Sequence, residues 1–409
     1  MKLLYFHQHF STPKGSAGIR SYAMAKRLVE KGHQVTMVCG SYSGGHTGLE
    51  QPFDKGVRRG MVDGINVIEF QLEYSNQDGF VKRTTLFFKF ALKSISVALS
   101  EHYDLLFATS TPLTAAIPGI IARWLRGKPF VFEVRDLWPE LPREMGVINN
   151  PIVLWAMGRL EWAAYKSAHR LIGLSPGIVD GIARLNIPRH KIAMIPNGCD
   201  LTLFGNANAK SWRPSGVKDT DLMAVFAGTH GIANGLDSVL DAALVLKKDG
   251  RNDIKFVLIG QGKVKEKMIR RAKQEGLDNI IFHDPVSKEK LSGLMAATDV
   301  GLQVLANVPA FYYGTSPNKF FDYIACGLPV LNNYPGWLAD MINENDCGLT
   351  VPPEDAKAFA DSLVYLADHR EKLLGMSAAA SKLAKKRFDR SKLSQQFADW
   401  LVTGSSNNA

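Results

Sequence analysis

Cysteine is scarce in this chain, and long apolar runs are absent. Only Cys39, Cys199, Cys326 and Cys347 occur, with no pair at metal-ligand spacing. That argues against a disulfide scaffold or a zinc module and suits small buried thiols in a reducing compartment. No apolar stretch reaches the roughly 18 residues needed to span a bilayer. The first ten residues, interrupted by His7 and Gln8, are too short and too polar for a signal peptide. The chain is therefore expected in the cytoplasm.

Acidic residues are outnumbered, 39 against 49 basic ones, which leaves a net charge of +10. Such an excess favours anionic partners, nucleotide phosphates and lipid headgroups among them. The basic residues are scattered, and no recognition helix, zinc finger or RNA-binding signature is present. Nucleic acid is therefore not an expected partner.

What the sequence does have is a repeated rhythm. At roughly 100–200 residues per domain, 409 residues suggest two domains. Short apolar strands are expected over 3–6, 34–39, 67–70, 105–108, 130–134, 171–174 and 192–195, with helices between most of them. A polar stretch over 205–220 reads as a linker. The alternation then restarts, with strands over 223–227, 256–259, 280–282, 300–304 and 330–332. Helices are expected over 236–248, 264–275, 288–297, 319–325, 356–368 and 371–387. Fully apolar strands alternating with helices indicate a parallel sheet covered on both faces. The fold class is therefore α/β, two Rossmann-like doubly wound domains. Ligands of such sheets bind outside the carboxyl ends of the strands, at the point where strand order reverses.

Three glycine loops follow strands and precede helices. The first is Gly15-Ser-Ala-Gly18, with Arg20 opening the helix. The second is Gly228-Thr229-His230-Gly231-Ile-Ala-Asn234-Gly235. The third is Gly260-Gln-Gly262-Lys263. Each either brings backbone N–H groups close to a phosphate or simply turns the chain. The first lacks the Gly-x-Gly-x-x-Gly spacing, and no acidic ribose anchor follows the second strand, which argues against a nicotinamide dehydrogenase. Two such loops, each opening one half of the chain, suit a diphosphate.

The segment Thr315-Ser316-Pro317-Asn318-Lys319-Phe-Phe-Asp322 is the most informative. Pro317 is preset for a first helical turn, and Thr315 or Ser316 can cap it. Lys319 then lies near the positive end of the helix, where a cation gains nothing from the dipole. An anionic ligand would account for it. Asp322 is one turn on, either a partner for ribose hydroxyls or one half of an intrahelical pair with Lys319.

Two further patterns carry less. Asp219-Thr-Asp221 resembles a metal motif, but it precedes a strand where that chemistry needs it after one. His7-x-His9 has no third metal ligand at a telling spacing and suits a cleft wall better. The segment 80–100 mixes Lys82, Arg83, Lys89 and Lys93 with aromatic residues. Its residues alone favour a core helix with a solvated basic edge over an interfacial helix on an anionic membrane; a lipid-linked acceptor would put the two on an equal footing.

These motifs together resemble glycosyltransferase family 4, whose fold is called GT-B. The resemblance rests on Lys31-Gly-His33-Gln-Val35, Ser175-Pro176, Ile195-Pro-Asn197-Gly198-Cys-Asp200, the Gly228 loop and Ala325-Cys-Gly327-Leu-Pro329-Val330. It covers nearly the whole chain. His7-Gln-His9-Phe10, Arg20-Ser-Tyr22 and Arg135-Asp136-Leu-Trp138-Pro-Glu140 further resemble a branch that transfers N-acetylated sugars in bacterial O-antigen and surface-polysaccharide synthesis.

The resemblance implies two domains facing across a cleft, residues 1–202 for the acceptor and 203–385 for the donor. A last helix near 386–405 would cross back onto the first. It implies retaining transfer of a sugar from a UDP-linked donor, without metal or other cofactor, to a saccharide or lipid-linked saccharide. A lipid-linked acceptor would bring the cytoplasmic enzyme to the inner face of the plasma membrane as a peripheral protein; a soluble acceptor would not. Arg135, Asp136 and Lys319 are the implied catalytic residues. The implied donor site combines Gly15, Gly18, Arg20, Asn197, Gly228, Thr229, His230, Gly231, Asn234, Gly260, Gly262, Lys263, Val286, Ser316, Pro317, Asn318 and Asp322. His7, His9 and Trp138 would line the acceptor side.

The sequence departs from the family at several points. Thr229 and Asn234 stand where the family has Arg and Lys. Gly314 and Asp322 stand for its two Glu, and Arg135 for a His. Lys319 and Arg135 are the replacement cations. A sugar-nucleotide epimerase on the same fold, or a non-catalytic nucleotide-sugar-binding subunit, are the readings these departures leave open.

Overall fold

A computed structural model describes residues 1–75, 78–205 and 210–403. The chain divides into two compact units. The first comprises Met1–Pro196, Tyr313–Ser316 and the stretch from Ser391; the second comprises Asn197–Tyr312 and Pro317–Arg390. The first division falls at Pro196, a few residues ahead of the expected 202.

In chain order the first unit runs β1 (Lys2–Phe6), α1 (Arg20–Glu30), β2 (Gln34–Tyr42), β3 (Val57–Val62), β4 (Ile65–Tyr74), α2 (Phe80–Ser100), β5 (Leu105–Thr109) and α3 (Ile117–Arg126). It continues with β6 (Phe130–Val134), α4 (Glu140–Glu144), α5 (Pro151–Ser167), β7 (Arg170–Gly173), α6 (Pro176–Ala183) and β8 (Ile192–Met194). The strands form one sheet, β3-β4-β2-β1-β5-β6-β7-β8. All neighbours are parallel except the β3–β4 hairpin. β1 is central, with Leu3 opposite Val35 on one side and Leu105 on the other. Its residues after Lys2 are all buried, as a strand covered on both faces requires. β3 was not expected. Its sequence, VRRGMV, is half exposed at the sheet edge and lacks an apolar run.

The second unit repeats the plan with β9 (Leu222–Ala227), α7 (Asp237–Lys248), β10 (Ile254–Ile259), α8 (Lys265–Glu275), β11 (Ile280–His283), α9 (Lys288–Ala296), β12 (Val300–Gln303), α10 (Pro309–Gly314) and α11 (Asn318–Ala325). It ends with β13 (Val330–Asn332), α12 (Trp337–Glu344), β14 (Gly348–Thr350), α13 (Ala356–Asp368) and α14 (Arg370–Arg387). Its sheet, β11-β10-β9-β12-β13-β14, is wholly parallel. The final helix, α15 (Arg390–Thr403), packs on the first unit: Leu393, Phe397 and Leu401 join Tyr5 and Phe107 in its core. The second core is separate, built around Phe226, Leu258, Leu302 and Leu363.

The expected linker over 205–220 needs correction. Residues 206–209 lie outside the described residues, but Trp212 donates its indole N–H to the Lys290 carbonyl at 2.8 Å. Arg213 pairs with Asp299 at 3.3 Å. This segment is packed against the second unit despite its polar composition. Asp221 is buried there and accepts the Lys218 N–H, a turn-closing role.

In each sheet the strand order reverses next to the first strand of the unit. β1 leads to β2 on one side while β5 lies on the other; β9 leads to β10 while β12 lies on the other. Loops diverge at those two points, and ligands of such sheets bind in the resulting crevices.

Candidate functional site

In the second unit the crevice between β9 and β12 receives Lys319. This residue sits in the first turn of α11, which follows β12 in the chain. Its ammonium crosses to the loop after β9 and donates to Asn234 Oδ1 at 2.6 Å. Asn234 in turn donates from Nδ2 to the Thr229 carbonyl at 2.8 Å, which closes the loop. The ammonium also lies 4.4 Å from the centre of the Phe226 ring. Among the described residues no carboxylate reaches it. Burial pushes its pKa down to about 7. A half-buried cation held by an amide and an aromatic face is suited to an anionic ligand.

The glycines around it are explained by close approach. A Cβ on Gly260, at φ +150°, would collide with the Gly228 carbonyl oxygen, and one on Gly262 would meet the His230 backbone. The two loops after β9 and β10 therefore pack backbone to backbone. His230 is fully buried between them, and neither ring nitrogen has a partner among the described residues. Burial, helped by the charges of Lys265 and Lys319, pushes its pKa down to about 4, so the ring is neutral. Lys263 is exposed, while Lys265 is buried and donates to Gly260 O, His283 O and Asp284 Oδ1. Lys265, not Lys263, secures the third loop. Val286 is half-buried in the stretch between β11 and α9.

Asp322 is placed differently from either expectation. It pairs with Lys288 of α9 at 2.8 Å, both side chains largely buried, and not with Lys319. A turn of helix separates the two positions, but Lys319 leaves its own helix to reach Asn234. Nor does Thr315 or Ser316 cap α11: Pro317 holds the N-cap position in extended backbone, with no side-chain cap. Asn318 is its first residue. Ser316 clusters with the first unit, Pro317 and Asn318 with the second. Asn197 is buried at the start of the second unit.

In the first unit the crevice lies between β1 and β5. The residues after β1, His7, Gln8 and His9, are gathered there with Ser110 and Thr111 after β5 and Arg135 and Asp136 after β6. Arg135 Nη1 lies 3.4 Å from His7 Nε2, and its backbone N–H donates to Ser110 Oγ. Thr111 Oγ1 donates to Asp136 Oδ2 at 3.1 Å. Burial, reinforced by the Arg135 charge, lowers the pKa of His7 and takes that of His9 to about 4. Burial raises the pKa of Asp136 against the pull of Arg135. Both amide atoms of Gln8 are buried without a partner among the described residues. Gln8 was missed at the sequence level because its position at the crevice depends on strand order. Trp138 is half-buried and packs against this core.

Two first-unit assignments fail. Arg20 is 3% exposed and cannot meet a phosphate. Its guanidinium grips Glu133 at 2.7 Å and donates to the Ile195 and Pro196 carbonyls. Burial opposes the charge of Glu133, but Arg20 outweighs it and holds the carboxyl below its ordinary range. Gly15 is buried, and a Cβ there would meet Ser11 Oγ, Gly44 O and the His46 N–H, so close packing accounts for that glycine. Gly18 is half-buried in the turn before α1.

Known proteins resemble the chain in both halves. A glycosyl transferase 4-like domain matches residues 15–198, and a glycosyl transferases group 1 domain matches residues 208–383. A D-inositol 3-phosphate glycosyltransferase of Xylanimonas cellulosilytica is 26% identical over 268 residues. That match takes in 61% of this chain and 58% of the relative. Among solved structures, sucrose-phosphate synthase of Thermosynechococcus elongatus superposes with a TM-score of 0.77 at 17% identity, over 100% of both chains. WaaG, a glycosyltransferase involved in lipopolysaccharide biosynthesis, gives 0.71 at 16%, over 98% of this chain and 99% of its own. Anabaena HepE in complex with UDP-glucose gives 0.68 at 17%, over 98% and 100%. At these identities the likeness is one of fold.

Proposed function

We propose that this chain, which joins a glycosyl transferase 4-like domain to a group 1 domain on the GT-B fold, is a glycosyltransferase that transfers an N-acetylated sugar from a UDP-sugar with retention of configuration. The observation that carries the donor reading is the Lys319 ammonium, held by Asn234 across the β9/β12 crevice with no carboxylate partner among the described residues. A diphosphate there restores the charge that burial disfavours. The ammonium then meets the negative charge that builds on the leaving oxygen, where electrostatic stabilisation is most effective. HepE, a fold neighbour, has been captured with UDP-glucose, which favours a uridine nucleotide here.

The acceptor is a saccharide or a lipid-linked saccharide of surface-polysaccharide synthesis, taken up at the β1/β5 crevice by His7, Gln8, His9, Arg135 and Asp136. Neutral imidazoles and a buried amide suit hydroxyl groups better than a charged acceptor. Asp136, its pKa raised by burial, is the candidate proton acceptor there. The charge of the departing diphosphate is carried by Lys319 and backbone N–H groups rather than by a metal.

The experiment is a screen of UDP- and GDP-sugars by calorimetry, followed by anomeric analysis of the product by NMR. Binding of a UDP-N-acetylhexosamine and a product of retained anomeric configuration are expected. Tight binding of GDP-sugars alone, or inversion, would refute the reading.

A further inference from the structure

One face of the first unit is unusual for a water-soluble surface. β4, β5, β6 and β7 succeed one another in the same direction along the sheet, with β2 and β1 between the first two. Right-handed crossovers therefore place α2, α3 and α5 side by side on one face. α3 packs against both neighbours. Arg126 donates to the Ala98 and Glu101 carbonyls at the end of α2, and Trp124 donates to Ser167 at the end of α5. α1 lies on the opposite face with α15, through Arg27 to Ser391 and Lys31 to Asp399. The last helix thus leaves the α2/α3/α5 face uncovered.

What faces outward there is apolar and aromatic. Leu92 is 66% exposed, Leu125 72% and Trp155 68%, with Phe88, Trp124 and Trp162 also exposed. Single exposed apolar residues need no explanation, but a set distributed over three helices packed side by side does. The charges are of one sign. The three helices contain Lys82, Arg83, Lys89, Lys93, Arg123, Arg126, Arg159 and Lys166, and a single carboxylate, Glu161. Glu161 is half-buried, accepts the Tyr165 hydroxyl, and is pushed up by burial to about 7. Arg159 stacks over Trp162 at 4.6 Å. Among the described residues no helix is long and apolar enough to cross a bilayer. Tryptophan interleaved with cations suits the headgroup layer, where the ring is partly immersed and the cation meets lipid phosphate.

We infer that the α2/α3/α5 face is a docking surface for an anionic lipid bilayer, with Leu92, Leu125 and Trp155 entering the interface and the lysines and arginines gripping its phosphates. It extends well beyond the segment 80–100. It deepens the lipid-linked-acceptor reading and rests on it for its purpose, because such a surface holds the enzyme where its acceptor is anchored.

The test is flotation of the full chain with phosphatidylcholine vesicles, with and without phosphatidylglycerol. The wild type is expected to float only with the anionic vesicles and to be released by salt. The combined Leu92→Ser, Leu125→Ser and Trp155→Ser variant is expected to bind about tenfold or more weakly, with an unchanged melting temperature, because these side chains are largely solvated. Replacing Lys89, Lys93 or Arg159 with Gln is expected to weaken binding about fivefold each, as for roughly 1 kcal/mol per cation near a charged membrane. Wild-type affinity in the apolar variant would overturn the inference in favour of charge attraction alone. Absence of binding by the wild type, with dimers that the apolar variant abolishes, would assign the face to a second copy. UDP-sugar hydrolysis is measured on the same samples. Vesicle binding by a chain that uses no nucleotide sugar would sink the donor reading and leave this surface standing.

Discussion

Lys319→Ala removes the cation that reaches across the β9/β12 crevice to the loop after β9. Among the described residues the ammonium bonds Asn234 Oδ1, at 2.6 Å, lies against the Phe226 ring and makes no ion pair. The variant is expected to fold with unimpaired stability. One charged contact to a developing oxyanion contributes about 2.7–4 kcal/mol, a loss of about a hundredfold to a thousandfold in turnover. The pH profile adds an independent magnitude. With its pKa lowered to about 7, Lys319 in the free enzyme is mostly charged at pH 6 and about one-tenth charged at pH 8. The ratio kcat/KM for the donor should therefore fall about tenfold between those values, because it reports groups of the free enzyme. The limb in kcat should lie at higher pH, since the bound diphosphate favours the proton. Lys319→Arg keeps its charge and should flatten the limb; Lys319→Ala should lack it. Steady-state kinetics at saturating and limiting donor read both. Near-wild-type turnover in Lys319→Ala at saturating donor, or an unchanged alkaline limb, would refute the assignment.

The same shift has a stability consequence. A lysine whose folded pKa is depressed is protonated in the unfolded chain and neutral in the fold between pH 7 and the ordinary lysine range. Its contribution should thus make the donor-free enzyme more stable as pH rises above about 7, seen as a melting difference between wild type and Lys319→Met; a flat difference would contradict it. Asp322→Asn should leave Lys288 buried without its counter-ion and cost about 3 kcal/mol, with much of that recovered in Asp322→Asn/Lys288→Met. A change confined to the donor KM would instead return Asp322 to the ribose. Arg20→Ala should destabilise by about 3–5 kcal/mol by stranding Glu133, with donor KM unchanged in the folded fraction; a selective rise in donor KM would restore Arg20 to the donor site. Activity should survive EDTA, and a strict divalent requirement would direct attention back to Asp219 and Asp221.

The strands and helices were legible because their local chemistry is uniform. Strands covered on both faces must be apolar throughout, so β1, β5, β6 and β9 announce themselves as short apolar runs. Elements without that uniform burial escaped, β3 at the sheet edge and the three-residue β14, and so did the eight-residue α12, although Leu338, Met341 and Ile342 are buried. The glycine loops and Lys319 were legible for a similar reason, since backbone approach and helix position are properties of neighbouring residues. What each side chain does there was not. The partner of Asp322 lies 34 residues away and that of Arg20 lies 113 away, and neither separation has a periodicity to reveal it. Gln8 becomes a crevice residue only because β1 stands between β2 and β5. The amphipathic character of 80–100 can be read from its residues. That α3 and α5 extend it into one surface follows from the handedness of the crossovers, which brings distant helices onto one face. Sequence alone thus determined which segments become strands, helices and tight glycine loops, because those depend on residues close along the chain. Tertiary structure decided which cation stays unpaired and which carboxylate is spent, because ion pairing depends on distances that only the packed sheet establishes.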